Sequence, residues 1–440
     1  MMKPKLDWSS YENEGLGDAY ADIPKKGGNF AKAIAVCINS MVCLRPIDKG
    51  VMCPSFRVRQ DAAFSPGGRS RLLKKWLNDE ITEEEKALLD QSMSACVGCK
   101  GCKRECDTGL DIAAIRSEYL ANHQERRYSA LRDKLFANLP LLLRFPKLAC
   151  LAISWRNKSS TLSRLTERLL GISADVKLPL PSTDTINSQS VENEKEFSDK
   201  TVVLLMDSIT KGFSPEVIAS AYSVLEKTGY DVRLSGTDQE GLIEGRTWFS
   251  AGYVEKATDK AELLLDQLTP YLDADLPIIG LEPASTLMLR DEYKMLISDD
   301  RADKLATQTF LFEEFLSREI SAGRFTPHIT RRCHQKILIH GHCHQKSVGA
   351  MKSVRKVLKL VPDLEFEMID SSCCGGGGSF AYEAENQSDS EQMYNLILKN
   401  RFESEPEALI VTNGFSCKNQ IKQYSDRPSI HLAELLHRML

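Results

Sequence analysis

The 440-residue sequence begins without a charged-then-apolar leader. Its first residues, MMKPKLDWSSYENEG, are polar and acidic, which predicts a chain that is not secreted. It has no surplus of positive charge: 57 Lys and Arg against 61 Asp and Glu give a formal net charge of -4. No basic footprint for nucleic acid exists, and no nucleic-acid partner is expected. Long apolar runs are missing too. The most apolar stretch, LPLLLRFPKLACLAISW from Leu139 to Trp155, is interrupted by Arg144, Pro146 and Lys147, so a membrane-spanning helix is excluded there. The stretch reads as a helix packed between domains, with a place on a membrane surface as the competing reading. Cys150 within it reads as a small buried hydrophobe. Nothing resembles a glycine-rich dinucleotide or flavin fingerprint, so no bound flavin is expected in this chain.

Cysteine, by contrast, is abundant, with 13 in the chain. In a chain without a leader these predict cytoplasmic thiolates that serve as metal ligands or catalytic groups rather than disulfides. With 42% hydrophobic residues the chain can bury sizeable cores and should split into two to four domains. Residues 1–30 read as an irregular segment and 31–125 as a helical, cysteine-rich domain, in which SPGGRSRLLKKWLND and ITEEEKALLDQSMSA carry apolar residues at helical spacing. Residues 126–199 read as a helical connector followed by a polar linker, PLPSTDTINSQSVENEKEFSDK. The period then changes. TVVLLMD, SPEVIASAYSVLEKTG and YDVRLSG read as strand, helix and strand, and KILIHGH, SVGAMKSVRKVLKLV and EFEMIDS repeat that order. ALIVTNG matches PIIGLEP as a further strand ending in a turn. The expectation is two α/β halves with mainly parallel sheets, 200–325 and 335–440, related by an internal repeat.

CVGCKGCKREC, residues 96–106, has the Cys-x2-Cys-x2-Cys-x3-Cys spacing that wraps a cubane iron–sulfur cluster, with the fourth cysteine serving the other cluster of a two-cluster domain. Four-cysteine zinc sites come instead as two separated knuckles. Lys100, Lys103 and Arg104 read either as offsetting cluster charge or as solvated surface charge. The earlier run, CINSMVCLRPIDKGVMCPS, is the partner motif with Ser40 where the middle cysteine would stand. Crossed pairing predicts one [4Fe-4S] site from Cys96, Cys99, Cys102 and Cys53. It also predicts a three-cysteine site from Cys37, Cys43 and Cys106, holding either a [3Fe-4S] cluster or a [4Fe-4S] cluster with a non-cysteine ligand.

The C-terminal half carries a third constellation. HGHCHQK, SSCCGGGGSF and TNGFSCKNQ place Cys343, Cys373, Cys374 and Cys417 just past three strands, where α/β sheets put their chemistry. Four glycines after a cysteine pair make a poor core and suit a close approach. His340, His342 and His344 could serve as ligands or proton carriers, with one or two of them engaged only in local packing or hydrogen bonds. Cys333 stands alone.

Taken together, CINSMVC…CPS, CVGCKGCKREC, GHCHQK, SSCCGGGGSFAYEAEN and NGFSCKNQI resemble the iron–sulfur portion of FAD-linked 2-hydroxyacid oxidases of the D-2-hydroxyglutarate and D-lactate dehydrogenase kind. The sequence is more distantly similar to the iron–sulfur subunits of glycolate oxidase and anaerobic glycerol-3-phosphate dehydrogenase, and to the cysteine-rich subunit of heterodisulfide reductase. The resemblance implies an all-α ferredoxin-like domain with two clusters followed by a duplicated α/β CCG (cysteine-rich) domain, the last cysteine set holding a further iron–sulfur centre. Two departures matter. The first CCG half has no cysteines near Ile243 to Gly245 or at Ser285 and reads as scaffold. The flavin domains of the fused relatives are not seen, so an FAD-linked oxidase subunit on a separate chain is the implied electron donor, and a membrane quinone or other carrier the acceptor. No catalytic residue is assigned, and the implied location is the cytoplasm, with contact at the inner face of the cytoplasmic membrane. A heterodisulfide-reductase-like thiol–disulfide or quinone reductase, with chemistry at the CCG site, is the alternative. A metal-stabilised scaffold with no redox role is the third reading.

Overall fold

A computed structural model of the chain describes residues 3–15, 22–45, 50–123, 130–184, 196–235 and 243–440. The centre of the polar linker, 185–195, and residues 240–242 of the first-half turn lie outside them. The N-terminal part is built of helices: α1 (Asn29–Ala35), α2 (Pro54–Arg59), α3 (Pro66–Leu77), α4 (Glu83–Ser94), α5 (Gly101–Glu105) and α6 (Ile112–Ala121). The starts of α3 and α4 follow from local chemistry. Ser65 accepts from the Gly68 amide ahead of Pro66, and Thr82 and Glu85 form a capping box, each satisfying amides that the first turn leaves free. The helical connector is α7 (Ala130–Ala137), α8 (Leu139–Leu142), α9 (Pro146–Lys158) and α10 (Ser160–Leu170).

Two small sheets follow. The first contains β1 (Thr201–Leu205), β2 (Asp231–Ser235), β3 (Ile278–Gly280) and β4 (Thr309–Leu311). The second contains β5 (Ile337–Ile339), β6 (Phe366–Met368), β7 (Leu409–Val411) and β8 (Ser429–Ile430). Their orders are β2-β1-β3-β4 and β6-β5-β7-β8, and every pairing is parallel. The duplication expected from the sequence is therefore present, and the fold is an all-α region followed by a duplicated α/β region. β1 and β3 are buried along their whole length, as strands covered on both faces must be. In each sheet the direction of winding reverses beside the first strand. The carboxyl ends there, after β1 and β3 or after β5 and β7, open a crevice suited to a ligand.

The parts share cores. One apolar cluster joins Leu110 and Ile115 of the N-terminal region to Trp248 and Leu264 of the first half. Another joins Leu204 and Ile218 of the first half to Ile339 and Leu435 of the second. The second half also reaches the ferredoxin-like helices directly, through Arg59 Nε to Asp389 (2.6 Å) and Asn386 Nδ2 to Ser94 Oγ (3.2 Å).

The α8–α9 stretch departs from expectation. Its α8 end packs, with Pro140 buried, Leu141 against the shared core and Leu143 beside Gly212 of the first half, but α9 is not packed between domains: Phe145 is 68% exposed, Leu148 67% and Trp155 62%. Cys150 is only half-buried. An apolar run records that a partner is wanted, not that the partner is this chain.

Candidate metal centres

Cys53, Cys96, Cys99 and Cys102 line one cavity, together with Arg69 and Ile112. Cys53 precedes Pro54 at the start of α2, Cys99 lies in the loop before α5, and Cys102 is in its first turn. Burial pushes the Cys99 thiol well up, and Cys343, Cys53 and Cys102 push it further. Cys102 is also raised by burial, with Asp111 and Cys96 adding to it. Thiols so placed keep their protons unless a cation replaces them. Four sulfurs converging on one space fit an iron–sulfur cluster, which supplies that positive charge.

Arg69 carries no signal of a role in the sequence. On α3 and 1% exposed, it donates from Nε to the Ser92 carbonyl (2.9 Å) and from Nη2 to Ser55 Oγ (2.8 Å), with Nη1 3.7 Å from Cys53 Sγ. Burial opposes its charge, but Cys96, Cys53 and Cys102 outweigh burial and hold its proton more firmly. It is a fixed cation of this cavity, which Lys100 also lines.

Cys37 and Cys43 come together at the start of α3. A β-carbon on Gly67 would stand 3.3 Å from Cys43 Sγ and 3.8 Å from Cys37 Sγ. Burial raises the Cys43 thiol, with Cys37 and Cys53 contributing. Cys106 caps the end of α5, with Sγ 3.3 Å from Thr108 Oγ1.

The cysteines of the second half gather at the carboxyl ends of β5, β6 and β7. Cys374 Sγ lies 3.6 Å from Cys417 Sγ, and a His340 nitrogen falls within 4.8 Å of both sulfurs. His340 Nδ1 meets Ser371 Oγ at 3.0 Å while its buried Nε2 has no partner, an orphan consistent with a metal centre at this spot. Cys343 is pushed well up, first by its hydrogen bond with Cys373 and then by burial. Lys346, the last residue of GHCHQK, is a functional candidate that the motif's histidines and cysteine conceal. It donates to the Ser371 carbonyl (2.6 Å), and burial lowers its pKa against the pull of Cys417, Cys343, Cys373 and Cys374. The other two histidines of the motif make local hydrogen bonds, although the buried Nδ1 of His344, like Nε2 of His340, has no partner. His342 caps the helix Cys343–Ser347 by accepting from the His344 amide, and His344 Nε2 meets the Gly98 carbonyl at 3.0 Å.

That last bond crosses to the other site. Val51, Cys99, Cys343 and Cys373 form one buried cluster, so the complete ferredoxin-like site and the second-half cysteines stand back to back. Gly377 permits it, since a β-carbon there would fall 2.6 Å from the Val97 carbonyl. Gly377 thus serves close approach of backbone to backbone. Lys100 is buried and lines the cavity of Cys53, Cys96, Cys99 and Cys102, whereas Lys103 is partly exposed, and both are held by acids. Lys100 reaches Asp111 (3.3 Å), Glu292 (3.1 Å) and Asp291, and Lys103 reaches Asp291 (2.6 Å) and Asp111 (3.1 Å).

In the first half the matching strand ends carry oxygen. Ser208 Oγ (3.0 Å) and Ser285 Oγ (2.7 Å) both donate to Glu244, with Asp207 and Glu282 nearby and buried. Burial, then Glu244, pushes Asp207 up to about 7, and burial, then Asp207, pushes Glu282 up to about 8. Asp207 starts from an ordinary value of 3.8. Between those values the folded state holds a proton the unfolded chain has lost, so Asp207's contribution to stability falls as pH rises from about 4 to about 7. Asp207→Asn keeps the oxygen that accepts from the Ile209 and Thr210 amides. It should therefore slow amide exchange in β1 and β2 above pH 7 by an amount on the order of 4 kcal/mol. Unchanged exchange at pH 8 would refute the raised pKa.

Comparison with known proteins agrees with this geometry. Residues 33–110 match the family described as 4Fe-4S dicluster domain, and residues 337–422 match the cysteine-rich domain. The chain carries an iron–sulfur dicluster domain and a cysteine-rich domain. The resemblance read from the five motifs is borne out. D-2-hydroxyglutarate dehydrogenase of Escherichia coli (strain K12) is 24% identical over 442 residues, covering 88% of this chain and 42% of that protein. The protein of the same name from Haemophilus influenzae is 21% identical, covering 96% of this chain and 45% of its own length. One subunit of the anaerobic glycerol-3-phosphate dehydrogenase of E. coli is 26% identical over 227 residues, 51% of this chain and 56% of that protein. The chain thus spans less than half the length of the D-2-hydroxyglutarate dehydrogenases it matches. The dicluster match takes in all seven N-terminal cysteines, and the cysteine-rich match takes in Cys343, Cys373, Cys374 and Cys417. Among the described residues no helix is long and apolar enough to cross a membrane.

Proposed function

We propose that this chain is an iron–sulfur electron-transfer subunit that takes electrons from an FAD-linked dehydrogenase of small 2-hydroxy acids and delivers them to a quinone or other carrier. The observation that carries the reading is the shared burial of Cys99, Cys343 and Cys373, which sets two cysteine sites of different domains in contact. The names of the relatives support the hydroxy-acid class, and likeness to one subunit of a glycerol-3-phosphate dehydrogenase supports a multichain complex. Iron–sulfur centres supply one-electron relay chemistry when bound.

The chain's own residues would divide that work. Cys53, Cys96, Cys99 and Cys102 would hold a [4Fe-4S] cluster, with Arg69 fixing the charge beside them. Cys37, Cys43 and Cys106 would hold the second, three-cysteine site. Cys343, Cys373, Cys374 and Cys417 would hold the exit centre, with Lys346 as its internal cation. The domain limits follow as 31–125, 200–325 and 335–440, and the location as the cytoplasm with peripheral contact at the inner membrane face. One observation favours the alternative of chemistry at the cysteine-rich site. A cavity of about 380 Å³ opens beside His344, lined by Lys100, Lys103, Arg104, Arg246 and Arg290 together with Asp291 and Glu292, which pair with Lys100, Lys103 and Arg246, with room for a small polar molecule.

Anaerobically purified chain should contain iron and sulfide. Cys373→Ser and Cys374→Ser should keep the N-terminal clusters by EPR and still accept electrons from a flavoprotein donor, yet pass them on slowly. Delivery at the wild-type rate with full metal content would make the pair structural only. Turnover of a disulfide by this chain alone would transfer support to the alternative.

A further inference from the structure

The surface formed by α8, α9 and α10 is unlike the rest of the molecule. Leu148, Leu151 and Trp155 stand at i, i+3 and i+7 on α9, and Leu162, Leu165 and Leu169 repeat that spacing on α10. All six are between 38% and 68% exposed. Each set is a stripe along one helix face, of the kind that normally turns toward a core. Leu142 and Phe145 extend the apolar surface. The charge here also runs against the chain as a whole. From 139 to 170 there are six cations, Arg144, Lys147, Arg156, Lys158, Arg164 and Arg168, against one acid, Glu167, in a protein whose net charge is -4. Of the six only Arg156 is buried, donating to the Ser173 and Val176 carbonyls.

We propose that this face docks on an anionic phospholipid bilayer, lying in the interface with its leucines and Trp155 among the acyl chains and its exposed cations among the headgroups. Apolar stripes rimmed by Lys and Arg, on helices too short to span, are what interfacial binding requires. The proposal rests on the peripheral location given above and names the surface responsible. The placement also bears on delivery of electrons. The segment after α10 is bound to the cysteine-rich half through Ser173 N to the Tyr382 carbonyl and Ala384 N to the Gly171 carbonyl, both 2.9 Å. Arg132, between the same parts, holds Glu385 at 2.8 and 2.7 Å. Tyr382 is buried within the electrostatic reach of Cys374. The α9–α10 surface is therefore tied, through the chain that follows it, to the half that carries Cys374.

The test uses the cluster-loaded full chain and vesicles of phosphatidylcholine with or without phosphatidylglycerol. Trp8 and Trp248 are buried, Trp76 is partly buried against Tyr119 and His123, and Trp155 is exposed, so binding should shift tryptophan emission to the blue, and Trp155→Phe should keep binding while losing most of the shift. Phosphatidylglycerol vesicles should sediment the chain, high salt should release it, and Leu148→Glu with Leu151→Glu should weaken binding by at least about tenfold. The variant's iron content and EPR signals should match wild type. No binding to anionic vesicles overturns the proposal, as does binding that ignores lipid charge. So does a concentration-dependent dimer that the double variant abolishes, which would assign the face to a second copy of the chain. Electron delivery to a soluble acceptor reports on the function independently, so a chain that moves electrons but ignores vesicles refutes only this inference.

Discussion

Replacing Arg69 by Met is expected to empty the Cys53, Cys96, Cys99 and Cys102 site and to destabilise the N-terminal helices by about 3–5 kcal/mol, the range for removing one member of a buried charged constellation. Met keeps most of the stem volume, so packing of α3 on α4 should survive and the loss should report on the guanidinium. That group satisfies the Ser92 carbonyl and Ser55 Oγ at once and presents Nη1 to Cys53. Without it, Ser92's carbonyl loses a donor in a buried setting, and sulfurs that repel one another lose their nearest fixed cation. Arg69→Lys should restore only part of the effect, because an ammonium is a point charge that cannot reach three acceptors in a planar fork. Iron and sulfide analysis with EPR checks this. The signal of the complete cluster should fall while the second-half centre is retained. Full iron content with unchanged melting would show that Arg69 merely packs.

That residue marks the limit of what the sequence could tell. Cys96, Cys99 and Cys102 can be grouped from sequence because their spacing is a local property of a loop, Cys53 joins them through the crossed pairing of two-cluster domains, and the structure lines one cavity with all four. Arg69 lies in a helix whose pattern is fully explained by its apolar face, and its importance comes from which loops α3 happens to meet. Lys346 is equally hidden, inside a motif read for its histidines and cysteine. The strands β1, β2, β5 and β7 are legible as apolar runs bounded by turns. β8 is only Ser429–Ile430, and β4, Thr309–Leu311, runs directly into the helix Phe312–Ser321, so neither stands out as an apolar run of its own. The first half reads as scaffold because its cysteines are missing, and the oxygen set that replaces them, Asp207, Glu244, Glu282 and Ser285, can be recognised only once the two sheets are seen to share one strand order. The apolar stretch at Leu139–Trp155 misleads for a different reason. Hydrophobicity fixes that a surface avoids water, and topology alone decides what covers it.

Lys100→Met should produce the second large effect and one with a distinctive dependence on pH. Lys100 is 7% exposed and ties the loop that carries Cys99 to Asp111 at the start of α6 and to Asp291 and Glu292 of the first α/β half. Burial alone would strip its proton, but Asp111, Glu292 and Asp291 outweigh burial and hold it. The same balance runs in reverse for the acids. Burial would raise Asp111 and Asp291, yet Lys100 and Lys103 keep both below the ordinary carboxylate value of 3.8. A depressed carboxyl contributes stability that is complete above its unfolded pKa and lost only as pH falls through the folded value, so wild type should be flat in this respect from neutral pH down to about 4. Removing Lys100 leaves Lys103, itself shared between Asp111 and Asp291, and Arg246, which reaches Glu292 at 2.7 Å. The burial that formerly was outweighed then dominates, and the carboxyl pKa values rise. The variant should lose about 3–5 kcal/mol at pH 7 and recover part of it as pH falls toward 5, the opposite slope to that of an acid-labile protein. Adding Asp291→Asn to Lys100→Met should restore part of the loss at pH 7, since it deletes one of the orphaned charges. Anaerobic urea denaturation of both variants at pH 5 and pH 7 measures this directly. If Lys100→Met is as stable as wild type at pH 7, or if its stability only declines on acidification, the clamp between the cluster loop and the first half is not what holds these parts together.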